Sequence, residues 1–157
     1  MILDSLLCFS GAVSPSGQPS GQSVTGTGNV LSTNVIDLAN TKDWDQGQLI
    51  DIAIQALVDT VGGTSIEIQV VTADDAALTA NLTVIGSSGP IPVATLSAGA
   101  RRSLQAKSYT SRGTSRRYLG LRYVLLGSVT TSSFFAAVVG NADTGRPGAF
   151  KNGFGIL

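Results

Sequence analysis

Apolar and polar residues alternate with a period of two along much of this chain. Across residues 48–57, Ile50, Ile52, Ile54 and Ala56 fall on one face, and Asp51, Ala53, Gln55 and Leu57 on the other. Residues 65–72 repeat the pattern more cleanly, with Ile66, Ile68 and Val70 inward and Glu67, Gln69 and Val71 outward. Such alternation is the signature of a half-buried β-strand. Further strands are predicted at 30–38, 102–106, 116–127 and 132–139, with a short one leading out of 77–85. A segment at 91–96 carries Pro92, which confines it to a sheet edge or a strand start. In RRYLGLRYVLLG, residues 116–127, Leu119, Leu121, Tyr123 and Leu125 share one apolar face, while Tyr118, Gly120, Arg122 and Val124 share the other. About eight short antiparallel strands separated by turn signals, with no convincing helix, predict an all-β fold. A jelly-roll β-sandwich is the leading version at this strand count.

The stretches between these strands divide the chain. Residues 10–29, SGAVSPSGQPSGQSVTGTGN, are nearly all small or polar and read as a flexible arm rather than a strand of a core. The expected organisation is an N-terminal docking segment at 1–12, the flexible arm at 13–29, the sandwich at 30–140 and an irregular tail at 141–157. The opening MILDSLLCFSGAV lacks a basic residue before its apolar run, and Asp4 interrupts it, so it does not read as a signal peptide. Leu6, Leu7 and Phe9 are instead expected to dock onto a protein surface. No apolar run approaches the ~18 residues of a membrane span, so no membrane partner is expected.

Composition supports an all-β chain built for contact. Only one Glu and one Met occur among 157 residues, against 19 glycines, which is poor material for helices. Charged residues make up 13% of the chain, about half the usual share. The surface must then be largely Ser, Thr, Gly, Asn and Ala, which suits a subunit of an assembly. The charge is also unevenly placed. Eight of the ten acids lie between Asp37 and Asp75, and seven of the ten bases between Arg101 and Arg122. A basic stretch interleaved with Tyr109, Tyr118 and Tyr123 has the look of a nucleic-acid surface. Zero net charge argues against counterion-release binding. The preference for arginine fits carboxylate-facing protein interfaces better, because its planar fork binds carboxylates bidentately. A merely solvated face is the third reading.

Catalytic chemistry finds little to work with. Histidine is absent, which removes the commonest general base and metal ligand. The single cysteine, Cys8, sits in an apolar run and reads as a small hydrophobe. Asp43 and Asp45 flank Trp44, and Asp74 adjoins Asp75. These pairs could serve a glycosidase, but they read more simply as hydrophilic turns. Gly86-Ser87-Ser88-Gly89 lacks the lysine and helix of a phosphate loop. No catalytic, metal-binding or cofactor-binding residue is assigned, and no cofactor is expected.

Several stretches, taken in order, resemble one family. They are residues 1–10 (MILDSLLCFS), 32–38 (STNVIDL), 68–75 (IQVVTADD), 88–96 (SGPIPVATL) and 117–123 (RYLGLRY). Together they resemble the small capsid cement proteins of tailed phages, the Bbp16-like group, over roughly residues 1–140. The long insert at 13–28 and the tail after 140 depart from that family's pattern. The resemblance implies a jelly-roll protein that is not an enzyme and needs no cofactor. It implies a homotrimer on the outer surface of the virion capsid, clamping neighbouring copies of the major capsid protein. The expected contact residues are Leu6, Leu7, Phe9, Arg101, Arg102, Arg112, Arg116 and Arg117. The alternative is a carbohydrate- or receptor-binding β-sandwich of a virion, which would rest on Trp44 and the tyrosines. An aspartate-dependent glycosidase is a more distant rival.

Overall fold

The computed structural model describes residues 5–38, 49–107 and 116–139. Eight strands carry the architecture: β1 (Cys8–Ser10), β2 (Gly26–Leu31), β3 (Leu49–Ala56), β4 (Ser65–Ala73), β5 (Thr83–Pro92), β6 (Arg101–Lys107), β7 (Tyr118–Thr131) and β8 (Ser133–Val139). One sheet runs β1-β8-β3-β6 and the other β5-β4-β7-β2, with every pairing antiparallel. Strands 1, 8, 3 and 6 facing strands 2, 7, 4 and 5 is the strand order of a jelly roll. The expected fold class is therefore the one observed. Gln22–Ser23 adds to β8, and Ile36–Asp37 and Val61–Gly62 add to β7.

The period-two rows meet between the sheets. Ile52, Ile54 and Ala56 of β3, Leu104 and Ala106 of β6, and Phe134 and Ala136 of β8 line one side. Ile66, Ile68 and Val70 of β4 and Leu119, Leu121, Tyr123 and Leu125 of β7 line the other. Each fully buried Ile, Leu or Phe side chain contributes about 1.5–3 kcal/mol over its exposed state. Tyr123 stacks on Phe134 with ring centroids 5.5 Å apart and hydrogen-bonds the Ser10 hydroxyl at 2.8 Å. Burial pushes its phenol well above the ordinary tyrosine range, and the Ser10 hydrogen bond offsets only part of that.

Both outer faces are partly roofed. Over β4, Val71 and Ala73 are covered by Leu78. The turn that delivers Leu78 is organised by Asp75, whose carboxylate accepts from Thr79 N and Ala80 N at 2.8 Å each and from Thr79 Oγ1 at 2.6 Å. Leu78 sits at φ 55°, a conformation costly for leucine, and is held there by its own burial. It fills the space over Gly120, where any Cβ would come within 2.4 Å of Leu78 Cδ1.

The reading of 13–29 as an arm outside the core's strands is corrected. Ala12–Val13 pairs with Pro19–Ser20, Gln22–Ser23 joins β8, and β2 begins at Gly26. Val24 is fully buried in the main core. The sandwich accordingly begins at Cys8 rather than at residue 30. The segment looked like a linker because it adheres through its backbone. Gly21 lets the chain pass so close that a Cβ would lie 2.2 Å from Ser133 Oγ. The Gln22 amide donates to Leu31 O at 2.7 Å and accepts from Thr33 N at 3.0 Å. Strand β5 is also longer than expected, running through Gly86-Ser87-Ser88-Gly89, and Val93–Thr95 is a 3-10 turn. Its edge position agrees with the reading of Pro92. The tail at 141–157, Arg112, and Trp44 with its flanking aspartates lie outside the described residues.

Candidate interaction surface

The N-terminal segment splits into an anchor and an exposed turn. Phe9 is fully buried in the chain's own core, and Cys8 is buried against Phe135 and Ala137. Phe9 was expected to dock outward. Alternation along β1 instead turns its ring between the sheets, and its carbonyl accepts from Asn34 N at 2.9 Å, so it cannot meet a partner. Leu6 and Leu7, in the 3-10 turn Ser5–Leu7 just before β1, are 82% and 37% exposed. The buried pair thus holds an apolar turn at the surface.

The arginines fall into two groups. Arg117 donates to both oxygens of Asp37, Nε and Nη2 each at 2.8 Å, and its guanidinium lies 5.0 Å from the centre of the Tyr118 ring. The Asp37 hydrogen bonds and charge push its pKa further above the ordinary arginine value. Arg116 pairs with Asp74 at 3.2 Å. Arg122, on the outer face of β7, donates from Nε and Nη2 to Gln69 Oε1 at 2.8 and 2.5 Å. Gln69 in turn donates to Glu67 at 2.7 Å, and Ser87 Oγ donates to Glu67 at 2.6 Å. The Ser87 hydrogen bond, then that of Gln69, hold the Glu67 carboxyl below its ordinary range.

Arg101 and Arg102, at the start of edge strand β6, are exposed. Among the described residues neither lies within ion-pair distance of a carboxylate. The segregation of charge along the sequence is therefore not a segregation in space. Antiparallel pairing sets the acid-bearing strands β3 and β4 beside the arginine-bearing strands β6 and β7. Two of the expected interface arginines, 116 and 117, are engaged within the chain.

A cleft of about 530 Å³ opens between β5 and β6, the adjacent edges of the two sheets. Ile54, Ile68, Ile91 and Leu104 form its apolar floor, and Ser87, Ser88 and Arg102 stand around it. It exists because β5 bulges. The register moves from Ser87 opposite Gln69 to Pro90 opposite Glu67, which leaves Ser88 and Gly89 unmatched. Ile68 N, which would otherwise bond the β5 backbone, donates to Ser88 Oγ at 3.0 Å. Sequence reasoning missed this place. Its signal was present in the row Arg102, Leu104, Ala106, which puts a cation where a core residue belongs.

The chain is thus a jelly-roll sandwich with an exposed apolar turn and an edge cleft, and no cluster of three or more metal-ligating side chains occurs among the described residues. The pattern of the Bbp16 family matches residues 19–139. The chain belongs to that family, which is phage-related. No curated protein matches the chain in sequence.

Proposed function

We propose that this chain is a structural virion protein, a capsid cement protein bound to the outer surface of a phage head. It sits there as a homotrimer and clamps neighbouring major capsid proteins against the pressure of packaged DNA, after assembly in the host cytoplasm. In this reading it performs no catalysis, takes no cofactor, and binds neither nucleic acid nor membrane. Membership of a phage-related family carries the proposal. The exposed Leu6–Leu7 turn, rooted by buried Cys8 and Phe9, supplies the apolar contact. Many weak contacts repeated over a closed shell add through multivalency, and cyclic symmetry lets each subunit bury the same patch. Of the expected interface arginines, Arg101 and Arg102 form no ion pair among the described residues and are proposed to meet a partner's carboxylates, and Arg112 is proposed beside them from its place in the sequence.

The test is to mix purified protein with phage heads lacking it. Saturable, stoichiometric binding and a higher head melting temperature are expected. Light scattering of the free or released protein should give the mass of three chains. The double variant Leu6→Asp, Leu7→Asp should keep its circular dichroism spectrum and lose decoration. Failure of the wild-type chain to bind heads rejects the reading; full binding by the double variant rejects the role of the turn.

A further inference from the structure

The inward row of β6 contains an anomaly that the fold does not need. Arg102 pairs with Ile54 and Leu104 with Ile52, and directly paired residues of an antiparallel ladder project from the same face. Ile52, Ile54 and Leu104 belong to the core between the sheets. Arg102 therefore stands in the core-facing row, where a leucine or valine would seal β6 against β5. The arginine side chain is exposed, so the charge stays hydrated at the mouth of the cleft, and that end of the row is left unsealed.

The opposite wall departs from regularity at the same place. The β5 edge comes close to β6 at Gly86, where a Cβ would lie 3.0 Å from Gln105 O. Beyond it the Ser88–Gly89 bulge carries β5 away, and the two edges part over Arg102, Ser103 and Leu104. Bulges of this kind recur where a sheet edge is shaped for binding. Three features converge: a bulge that opens the sandwich, an apolar floor of Ile54, Ile68, Ile91 and Leu104, and a core-row arginine with no carboxylate within ion-pair distance among the described residues.

We propose that this cleft binds an extended, acidic peptide segment of a partner protein. An aspartate or glutamate side chain of that segment pairs with Arg102, an apolar neighbour packs on the surface that Ile91 and Leu104 leave at the cleft floor, and Arg101 adds attraction at the rim. Extended peptides commonly bind at exposed sheet edges, with pockets for alternate side chains setting specificity. Charge complementarity selects the partner, because the bidentate geometry of a guanidinium favours a carboxylate. This site is distinct from the Leu6–Leu7 turn and does not require that the chain decorate a capsid.

The experiment follows backbone amide signals of labelled protein by NMR during titration with a blocked hexapeptide of alternating valine and threonine around one aspartate. Saturable shifts are expected at residues 87–91 and 101–104. The asparagine counterpart of the peptide, and the Arg102→Gln variant with the aspartate peptide, should each bind about tenfold or more weakly. Arg102→Leu should raise the melting temperature by roughly 3 °C by completing the core row while abolishing the peptide shifts. A purely structural arginine would lower it instead. The proposal is overturned by the absence of saturable shifts, by equal binding of both peptides, or by unchanged binding to Arg102→Gln. Acetate producing the same shifts at the same concentration would make this a simple anion site and also reject it. So would concentration-dependent shifts at these residues without peptide, since a second copy would then be the occupant.

Discussion

Strand β6 opens on a pair of arginines and β7 directly follows one, yet the two pairs end in opposite situations. Arg116 and Arg117 precede the central strand of one sheet, and their nearest neighbours in the fold carry Asp74 and Asp37. Arg101 and Arg102 open an edge strand whose one ladder partner among the described residues offers them Gln55 and Ile54. The inward row behind the first pair is Leu119, Leu121, Tyr123 and Leu125, all buried. The row behind the second is Arg102, Leu104 and Ala106, and it borders a cleft. The same doublet thus closes one side of the molecule and leaves the other open. What decides is whether a carboxylate comes within reach of the doublet: the one on β3, Asp51, lies opposite Gln105 and accepts from its amide instead.

The largest expected effect lies in the rows themselves. Leu121→Ala removes a fully buried side chain at the centre of the closed sheet, and should cost toward the upper part of the ~2–5 kcal/mol range for such truncations. Leu104→Ala, beside the cleft and 6% exposed, should cost near its lower end, since solvent can enter the space left behind. Urea unfolding of the two variants measures the difference. Equal losses would mean that the β5–β6 side is as tightly closed as the β7 side.

Much of this contrast could be read from the sequence, and part could not. The alternation in 48–57, 65–72 and 116–127 is a direct consequence of one face meeting a core, so strands, faces and fold class followed from it. Residues 13–29 defeated the same reasoning because their strands hold on through backbone pairing and the Gln22 amide, and of their side chains only Val24 reaches the main core. Phe9 was misplaced because a short apolar run looks the same whether it docks inward or outward. The charge blocks misled for a topological reason. Antiparallel neighbours far apart in sequence mix acids and bases that the linear chain keeps apart, and nothing in local composition says which strands will be neighbours. The cleft depends on a bulge in Ser87-Ser88-Gly89-Pro90, a stretch that reads as a loop until its partner strand is known.

A smaller effect separates the doublets directly. Arg116→Ala, Arg117→Ala should lower the melting temperature by a few degrees at most, because both ion pairs are substantially exposed and such pairs contribute little. Arg101→Ala, Arg102→Ala should lower it by less or raise it, since no pair is lost and an inward charge is removed. The gap should shrink in about 1 M salt, where the screening length falls to about 3 Å. A larger loss from the second double variant would show that Arg101 and Arg102 hold the fold together after all.

The smallest expected effect concerns Glu67, which links the two sides. Its carboxylate holds Ser87 at the start of the β5 bulge, and through Gln69 it connects to Arg122 on β7. Its pKa is lowered in the folded chain, chiefly by the Ser87 hydrogen bond. A depressed carboxyl contributes stability above its unfolded pKa, about 4.3 for glutamate, and that contribution is lost as the pH falls through the lower folded value. Asp75 follows the same sign through its Thr79 and Ala80 bonds, so acid should weaken both the β5 bulge and the turn that carries Leu78. NMR titration of the Glu67 side-chain carboxyl should give a midpoint below the ordinary glutamate value. Ser87→Ala should move it upward while leaving Asp75 unchanged. If Ser87→Ala leaves the Glu67 midpoint where it was, the bulge is not tied to β4 through this carboxylate, and the Ser88 contact to Ile68 and the ladder on either side hold the edge instead.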